Sequence, residues 1–326
     1  MQVRADDGQH IATDTFLWSA SNVAPTADIG NDGPIDEGGS ATVSLTNALD
    51  PSAADTTAGF HYAFSCTNGA LPSTYAAAGS AHSSVCPFAD DGSYTVSGRI
   101  FDKDDGYTDY TTTVVVNDVA PTVTNVSLSG GSGTACLSGN TATLGLAWTD
   151  PAGANDTYSY DVDWGDGSAH AVASGQVSPV AGLSHAYAAG TYTITILVSD
   201  EDGGTSTPIT RQVSYVYASS SFLPPITGRT TFKLGSTIQV KLRVTDCAGL
   251  PVTTLAPELH LGLVDGGEAD PLSTNGLGMR LAGDQYLFNM STKRSQFAGG
   301  SNLTPGTYRL WVGGPIATTE AVFDLR

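Results

Sequence analysis

The residues of this sequence best placed to do chemistry are the carboxylates of two short Asp- and Gly-rich stretches. Asp102-Lys-Asp-Asp-Gly106 contains three aspartates within five residues, and Asp200-Glu-Asp-Gly203 contains three consecutive acidic residues. Calcium takes about six to eight oxygen ligands, which such turns can supply as carboxylates and backbone carbonyls. The alternative is a pair of polar β-turns, because hairpin turns favour Asp and Gly for conformational reasons alone. The predicted calcium ligands are Asp102, Asp104, Asp105, Asp200 and Asp202.

A catalytic site is not indicated by the histidines and serines. His185 and Asp166, taken with a serine, contain the chemical groups of a nucleophilic triad. The six histidines show no paired spacing on one strand face, and no Gly-x-Ser-x-Gly or His-Glu-x-x-His motif occurs. We therefore expect no enzymatic activity and assign no catalytic residue.

Carbohydrate binding is the other chemistry that the sequence offers. Trp311 alternates with aliphatic residues, which predicts that it lies on the solvent face of a strand beside Arg309. An outward tryptophan can stack on a sugar ring, and Trp148, Tyr107 and Tyr110 would extend such a platform if they shared one face. A contact with a neighbouring domain is the alternative use of an exposed aromatic side chain.

Composition and charge favour an all-β protein and argue against binding to nucleic acids or anionic membranes. The 326 residues include 38 Gly and 16 Pro but only 14% charged residues, which favours an all-β protein over one with long amphipathic helices. Thirty-two acidic residues oppose 13 basic ones, giving a formal net charge of −19. Nucleic acids and anionic membranes bind through basic patches, so neither is an expected partner. No run of about 18 apolar residues occurs, and we expect no membrane insertion.

The middle of the chain has the clearest strand pattern. Tyr192 and every second residue to Val198 are apolar, with threonines between most of them, which is the period of a half-buried strand. Tyr160-Asp-Val-Asp-Trp-Gly-Asp-Gly-Ser168 predicts a strand that runs into a tight turn. Because Trp-Gly-Asp-Gly and Gly-Thr-Tyr occur together and in this order, residues 118–213 resemble a PKD domain. The resemblance implies an immunoglobulin-like β-sandwich of an extracellular protein.

Internal repetition predicts several such sandwiches in tandem. Asn22-Val-Ala-Pro-Thr26 recurs as Asp118-Val-Ala-Pro-Thr122, and the Gly-Ser-Tyr ending at Tyr94 recurs as the Gly-Thr-Tyr ending at Tyr192. The intervals are 96 and 98 residues, or one sandwich per repeat. The predicted fold class is all-β, with tandem immunoglobulin-like (PKD-type) β-sandwiches. The predicted segments are a remnant of a preceding repeat (1–22), a PKD-like sandwich (23–117), a PKD domain (118–215) and a C-terminal β-sandwich module (216–326).

The resemblance also suggests a use for two of the four cysteines. Aligned on the glycine of the PKD pattern, Cys66 takes the position of Trp164, and Cys86 takes the position of His185. A Cys66–Cys86 disulfide would then replace a packed tryptophan, and two buried thiols are the alternative. Such a disulfide would place the protein in an oxidising compartment.

The C-terminal part of the chain is less repetitive. Residues 217–225 are small and polar before a Pro-Pro step, which predicts a linker. The alternating segments after it resemble a small β-sandwich module found at the C-terminus of bacterial extracellular repeat proteins. Cys136 and Cys247 are expected to be free thiols by default, and a bridge between them is the alternative.

The sequence defines function only by class. Resemblance to PKD-type arrays implies a non-catalytic spacer, stalk or adhesion segment of a larger bacterial protein that is secreted or lies on the cell surface. Its expected partners are other domains of the same larger protein, and a polysaccharide or another surface protein. The alternative is a set of accessory carbohydrate- or protein-binding modules of a secreted hydrolase whose catalytic domain lies outside this chain. Calcium is the one cofactor for which the sequence offers candidate ligands.

Overall fold

The computed structural model describes residues 2–272, 278–297 and 299–326, and almost all of its regular structure is β-strand. The chain forms two compact units. The first contains Met1–Pro121 together with the segments Asp150–Asp156 and Glu201–Gly204. The second contains Thr122–Thr149, Thr157–Asp200 and Thr205–Arg326. Among the described residues, no helix has the length and apolar character needed to cross a membrane.

The first unit begins with an exposed β-hairpin and continues as a β-sandwich. The hairpin pairs β1 (Gln2–Asp6) with β2 (Ile11–Thr15), and every residue of both strands is exposed. The elements of the sandwich are β3 (Thr26–Asn31), β4 (Ile35–Asp36), β5 (Ser40–Leu49), α1 (Ala53–Ala58), β6 (His61–Ser65), a short 3₁₀ helix (Tyr75–Ala77), β7 (Ser83–Pro87), β8 (Gly92–Phe101) and β9 (Tyr107–Asn117).

Two sheets enclose the core of the first sandwich. Their strand orders are β3-β5-β7 and β4-β9-β8-β6, and β4 pairs with β9 in parallel. Inward residues of the long strands alternate with exposed ones, as a sheet with one buried face requires. The buried core residues are Ala41, Val43, Cys86, Phe88, Val96, Val114 and Val116.

The second unit opens with a sandwich that repeats this strand order and adds one edge strand, β14. Its sheets have the orders β10-β12-β15 and β11-β17-β16-β13-β14, and β11 again pairs with the last strand in parallel. Ile194, Ile196 and Val198 of β16 are fully buried between the sheets. The strands are β10 (Thr122–Ser129), β11 (Ser132–Thr134), β12 (Asn140–Thr149), β13 (Tyr158–Asp163), β14 (Ala171–Gln176), β15 (Val180–Tyr187), β16 (Gly190–Ser199) and β17 (Ile209–Val216).

A third sandwich completes the second unit. Its main sheets have the orders β19-β28-β27-β22-β23-β26 and β20-β25-β24, and β19 pairs with β28 in parallel. The chain is therefore a tandem of immunoglobulin-like β-sandwiches. The elements are β18 (Ala218–Ser219), a 3₁₀ helix (Ile226–Gly228), β19 (Thr231–Phe232), β20 (Thr237–Leu242), β21 (Val244–Thr245), β22 (Glu258–Leu263), β23 (Glu268–Asp270), β24 (Arg280–Ala282), β25 (Gln285–Ser291), β26 (Gln296–Phe297), β27 (Gly306–Gly313) and β28 (Glu320–Leu325).

Residues 217–225 do not form the linker that their polar composition predicts. The Tyr217 N–H donates to the carbonyl of Pro315, and the Tyr217 carbonyl accepts from the N–H of Ala317. The next two residues form β18, which pairs with β21. Phe222 is only 1% exposed and belongs to the third core. The segment is held in place because several of its backbone groups are paired and Phe222 is buried.

Cys136 and Cys247 form a disulfide, so the expectation of free thiols is wrong. Their Cα atoms are 5.0 Å apart, although 111 residues separate them in sequence. The backbone supports the same contact, because the Cys247 N–H donates to the carbonyl of Ala135 and the Ala135 N–H donates to the carbonyl of Val216. The bridge therefore ties a loop of the second sandwich to the third sandwich, inside the second unit.

Candidate functional site: an acidic cluster around Asp156

His185, Asp166 and Ser168 lie together beside Trp164, and their contacts hold a turn in place. The Trp164 and His185 rings stack with centroids 4.8 Å apart. His185 Nε2 lies 2.8 Å from Asp166 Oδ2, and the Ser168 hydroxyl donates to Asp166 Oδ1 at 2.5 Å. The hydrogen bond from Ser168 has the largest effect on the Asp166 carboxylate, and that from His185 has the next largest. Together they lower the pKa of Asp166 to about 2. In a nucleophilic triad the serine and the aspartate contact opposite nitrogens of the histidine ring. Here Asp166 Oδ2, at 2.8 Å, and the Ser168 hydroxyl, at 3.5 Å, both lie against His185 Nε2.

The first sandwich has a disulfide at the position of this stacked pair. Cys86 pairs with Ala41 across β5 and β7, and His185 pairs with Ala142 across β12 and β15. Cys86 and His185 therefore occupy the same register position in the two sandwiches. Cys86 is bonded to Cys66, with the Cα atoms 5.4 Å apart.

Asp102, in the first acidic stretch, is fully buried and fully hydrogen-bonded. It directly follows β8. Its Oδ1 accepts from the backbone N–H groups of Asp104 at 2.8 Å and Gly106 at 2.9 Å. Its Oδ2 accepts from the side-chain amide of Asn22 at 2.8 Å. A buried carboxylate is tolerated here because three donors satisfy it.

Asp102 also belongs to a group of carboxylates that has its own cation. One oxygen each of Asp50, Asp55 and Asp102 lies within 4.8 Å of the other two. Lys103 Nζ is 2.9 Å from Asp55 Oδ1 and also pairs with Asp104. The hydrogen bond from Lys103 is the largest cause of a lowered pKa at Asp55. The pKa of Lys103 is raised, first by its hydrogen bond to Asp104 and then by that to Asp55. We call Asp50, Asp55, Asp102 and Lys103 the lysine-paired cluster.

Asp105 does not join the lysine-paired cluster. Its backbone has a φ of 63°, which places it in the left-handed region that a tight turn requires. Its Oδ1 accepts from the backbone N–H of Tyr75 at 2.7 Å. Asp105 therefore fastens the turn to the 3₁₀ helix.

The second acidic stretch is divided between the two units. Asp200 directly follows β16, is 8% exposed and belongs to the second unit. Glu201 and Asp202 are exposed and belong to the first unit. One oxygen each of Glu201 and Asp202 lies within 4.8 Å of the other and of Asp156.

Asp156 is also the meeting point of a second set of carboxylates. One oxygen each of Glu37, Asp90 and Asp156 lies within 4.8 Å of the other two. All of these residues belong to the first unit. We call the five residues that surround and include Asp156 the acidic cluster: Glu37, Asp90, Asp156, Glu201 and Asp202.

Backbone contacts position the acidic cluster. The Tyr94 hydroxyl lies 3.0 Å from the carbonyls of Asp90 and Asp91, which fixes the turn that carries Asp90. The side-chain amide of Asn155 donates to the carbonyl of Ala89 at 3.4 Å and therefore holds the 150–156 segment beside that turn. Tyr94, the tyrosine of the Gly-Ser-Tyr motif, thus helps to position Asp90.

Gly38 permits a second close approach. Its φ is 68°, and a Cβ atom there would lie 2.9 Å from the carbonyl oxygen of Pro151. Only a residue without a side chain allows the 150–156 segment to pack this closely against the turn that carries Glu37.

The electrostatics of the acidic cluster are unfavourable at neutral pH. Asp156 is 6% exposed, and neither of its carboxylate oxygens has a hydrogen-bond partner. Burial, followed by repulsion from Glu37 and Asp150, raises the pKa of Asp156 to about 7. Burial also raises the pKa of Glu37 to about 7, although Glu37 Oε1 accepts from the N–H of Val119 at 3.1 Å. Buried carboxylates of one sign are costly unless a cation or donors neutralise them.

Four members of the acidic cluster, Glu37, Asp90, Asp156 and Glu201, are absent from the predicted calcium ligands, although Glu201 lies within the second acidic stretch. A signal for one of them exists in the repeats. Asp50-Pro51 recurs as Asp150-Pro151, and each pair is followed within six residues by another aspartate, Asp55 or Asp156. No comparable repeat marks Glu37 or Asp90.

Trp311 lies on the outer face of β27, and it is half-buried there. Its ring stacks on His260, its cross-strand neighbour, with centroids 5.3 Å apart. The Arg309 guanidinium lies 4.7 Å from the centre of the same ring. Its ring surface is thus already in contact with two protein side chains.

The other three candidate aromatic side chains each contact neighbours within their own sandwich. Trp148 is 4% exposed and packs edge-on against Tyr158, so it does not meet the condition of lying on an open face. Tyr107 lies under the guanidinium of Arg99, at 3.9 Å from the ring centre. The Tyr110 hydroxyl accepts from the N–H of Ala27 at 2.9 Å.

No protein-family model and no curated protein matches the chain. Similar solved structures include the PKD domain of an M14-like peptidase from Thermoplasmatales archaeon SCGC AB-540-F20, which is 26% identical over 30% of this chain and 98% of its own, with a TM-score of 0.24. The fibronectin(III)-like modules of Clostridium thermocellum CbhA are 17% identical over 58% of this chain and 94% of their own, with a TM-score of 0.23. The chicken CNTN1 FN1-FN3 domains are 10% identical over 94% of this chain and 100% of their own, with a TM-score of 0.24. Similarities at this level assign no function.

Proposed function

We propose that this chain is a non-catalytic structural segment, a spacer or adhesion segment, of a secreted or cell-surface protein. The observation that carries the proposal is the firm joint inside the second unit. The Cys136–Cys247 disulfide crosses that joint, and Tyr217 packs against the cores of both the second and the third sandwich. A joint fixed by covalent, backbone and apolar contacts preserves orientation along the chain, as a spacer requires.

The proposed location rests on the cysteines. All four are paired, as Cys66–Cys86 and Cys136–Cys247. Structural disulfides form and persist in oxidising compartments. Together with the resemblance of residues 118–213 to PKD repeats, this supports a bacterial protein acting outside the cytoplasm, with other domains of the same protein as its first partners.

The test is a joint assay of turnover and binding on the full chain. We expect no hydrolysis of ester, peptide or glycoside reporter substrates, because the Asp166–His185 pair is engaged in a turn. We also expect no saturable retention on polysaccharide. Turnover that an Asp166→Asn substitution abolishes in a folded protein would overturn the proposal.

A second candidate function is an accessory module that binds carbohydrate. The observation that favours it is a groove of about 730 Å³ on the third sandwich, lined by His260, which stacks on Trp311, and by the acidic side chains of Glu258, Glu268 and Asp270. Retention on insoluble chitin, cellulose or xylan that is lost in Trp311→Ala and kept in Tyr107→Ala would favour this function over the spacer. Equal behaviour of the two variants would argue against it.

A further inference from the structure

We propose that the acidic cluster of Glu37, Asp90, Asp156, Glu201 and Asp202 binds a calcium ion. This inference goes beyond the proposed spacer function and does not depend on it. Asp156 is the central ligand, because its carboxylate belongs both to the group with Glu37 and Asp90 and to the group with Glu201 and Asp202.

The spacing of the oxygens fits calcium. Calcium–oxygen bonds are about 2.3–2.6 Å long, so ligands on opposite sides of the ion lie about 5 Å apart. The oxygens of Glu37, Asp90 and Asp156 lie within 4.8 Å of one another, and the same holds for Asp156, Glu201 and Asp202. Each group therefore has the spacing of ligands around one calcium ion, and Asp156 belongs to both groups.

The environment of Asp156 independently indicates a missing positive partner. Asp102 and Asp156 are both buried aspartates of the first unit. Asp102 accepts three hydrogen bonds, whereas both oxygens of Asp156 lack a partner. A buried and unpaired carboxylate is strongly disfavoured, so its retention indicates a ligand that supplies positive charge.

No basic side chain of the first unit is available to the acidic cluster. The unit contains only three lysine or arginine residues, Arg4, Arg99 and Lys103. Arg4 pairs with Asp6, Arg99 pairs with Asp109, and Lys103 pairs with Asp55 and Asp104. None of these three side chains therefore pairs with Asp156, the buried member of the acidic cluster.

In the lysine-paired cluster, a side chain of the protein itself supplies the positive charge. Asp102-Lys103 follows β8 in the first sandwich, and Asp200-Glu201 follows β16 in the second. Lys103 and Glu201 are thus equivalent positions of the repeat. Where the first repeat supplies an ammonium group, the second supplies another carboxylate, which removes an internal cation and adds a ligand for an external one.

The ligand chemistry selects calcium among common cations. The acidic cluster offers only carboxylate oxygens, which suit hard cations and not the softer metals that prefer His or Cys. Magnesium demands near-ideal octahedral geometry and keeps several waters, whereas calcium accepts many protein oxygens in irregular arrangements. A bound calcium ion would hold segments 150–156 and 201–204 to the rest of the first unit.

The test is a calcium titration of the full chain after chelation, followed by calorimetry and thermal melting. We expect saturable binding of one calcium ion per chain and a rise in the melting temperature. Magnesium at the same concentration is expected to bind at least tenfold more weakly. Absence of calcium binding at millimolar concentration by the folded wild-type chain would overturn the proposal.

Two variants and a control assign the binding to the acidic cluster. Asp156→Asn is expected to weaken calcium binding at least tenfold without lowering the melting temperature of the calcium-free protein, because it removes a repelled buried charge. Glu201→Lys places a lysine where the first repeat has Lys103. We expect this variant also to bind calcium at least tenfold more weakly. Asp14→Asn, in the exposed strand β2, removes one acidic charge elsewhere and should bind calcium as the wild type does.

Wild-type affinity in the folded Asp156→Asn variant would overturn the assignment. If Asp156→Asn does not fold, Glu201→Lys decides, because Glu201 is exposed and tolerates a change of side chain. Wild-type affinity in Glu201→Lys would then reject the acidic cluster as the site.

Discussion

Single residues decide how each buried carboxylate of the first unit is neutralised. Asp102 accepts two backbone N–H groups and the amide of Asn22, and Asp55 pairs with Lys103. Asp156 has no donor for either oxygen. The three aspartates have the same chemistry, so their different environments come only from which neighbours the loops place beside them.

The substitution Lys103→Glu should convert the lysine-paired cluster into a second calcium site. The variant would leave Asp50, Asp55 and Asp102 without their cation and add a fourth carboxylate. We expect the calcium-free protein to melt at a lower temperature and the calorimetric stoichiometry to rise by one ion per chain. Arg4→Glu makes the same charge change in the exposed hairpin and should leave the stoichiometry unaltered. An unchanged stoichiometry in the folded Lys103→Glu variant would contradict this prediction.

Asp166 should contribute stability that is lost in acid. Its pKa is about 2 in the folded chain, below its ordinary value, because Ser168 and His185 bind the charged form. A lowered pKa of an acid stabilises the fold above pH ~4, and this contribution disappears as the pH falls from ~4 to ~2. The full contribution is about 2 kcal/mol.

Urea denaturation of the wild type and of Asp166→Asn at pH 6 and at pH 2.5 measures this effect. The wild type should lose more unfolding free energy than the variant between the two pH values, and most of the ~2 kcal/mol difference should disappear. Asp161→Asn, at a more exposed aspartate that also pairs with a histidine, is the matched control. Parallel losses in the wild type and Asp166→Asn would show that Asp166 is not the group responsible.

Among the elements, the turn at Gly38 controls how the 150–156 segment packs. Gly38→Ala forces a side chain into a left-handed backbone conformation and within 2.9 Å of the Pro151 carbonyl. We expect a loss of about 1 kcal/mol of stability from the backbone conformation. We also expect weaker calcium binding, because the segment that carries Asp156 must move.

Gly59→Ala is the control that separates the backbone effect of Gly38→Ala from its effect on the Pro151 contact. Gly59 also has a positive φ, of 87°, but a Cβ atom there meets no other atom within 4 Å. This variant should therefore lose stability without losing calcium affinity. Equal calcium affinity in Gly38→Ala and Gly59→Ala would show that the Pro151 contact does not position the site.

The strands could be predicted from the sequence because each long strand has one buried face. Alternation predicts a strand over 93–101, and the structure has Gly92–Phe101. It also predicts a strand over 192–198, and the structure has Gly190–Ser199. The predicted boundaries fall short because strand ends are exposed, and the alternation is lost there. The alternation of apolar and polar residues depends only on which side chains of a single strand face the core, so it can be seen in a short stretch of sequence.

The acidic cluster and the second disulfide could not be predicted in this way. Glu37, Asp90 and Asp156 come from three turns that are far apart in sequence and meet only through loop packing. Cys136 and Cys247 are 111 residues apart and lie in different sandwiches. In both cases the decisive contact joins turns, whose sequences favour Asp, Gly and Pro whatever they touch.

At the scale of the whole molecule, the Cys136–Cys247 disulfide should set how far the chain can be stretched. Its two cysteines are 111 positions apart in sequence, and the chain between them cannot extend while the bond is intact. In single-molecule force spectroscopy, reduction should add about 400 Å of contour length, at ~3.6 Å per residue. A variant carrying Cys136→Ser and Cys247→Ser should show this length without reductant. An identical extension of the oxidised wild type and the double variant would contradict the prediction.

The two fastenings at one register position, Cys66–Cys86 in the first sandwich and Trp164–His185 in the second, have a consequence for how the protein is made. The stacked pair forms as soon as the second sandwich folds, whatever the redox state of its surroundings. The disulfide forms only when an oxidant is supplied. The first sandwich is made earlier in the chain, yet it completes its core later if oxidant is scarce. The order in which these two equivalent contacts form is therefore set by oxidant supply and not by the direction of synthesis.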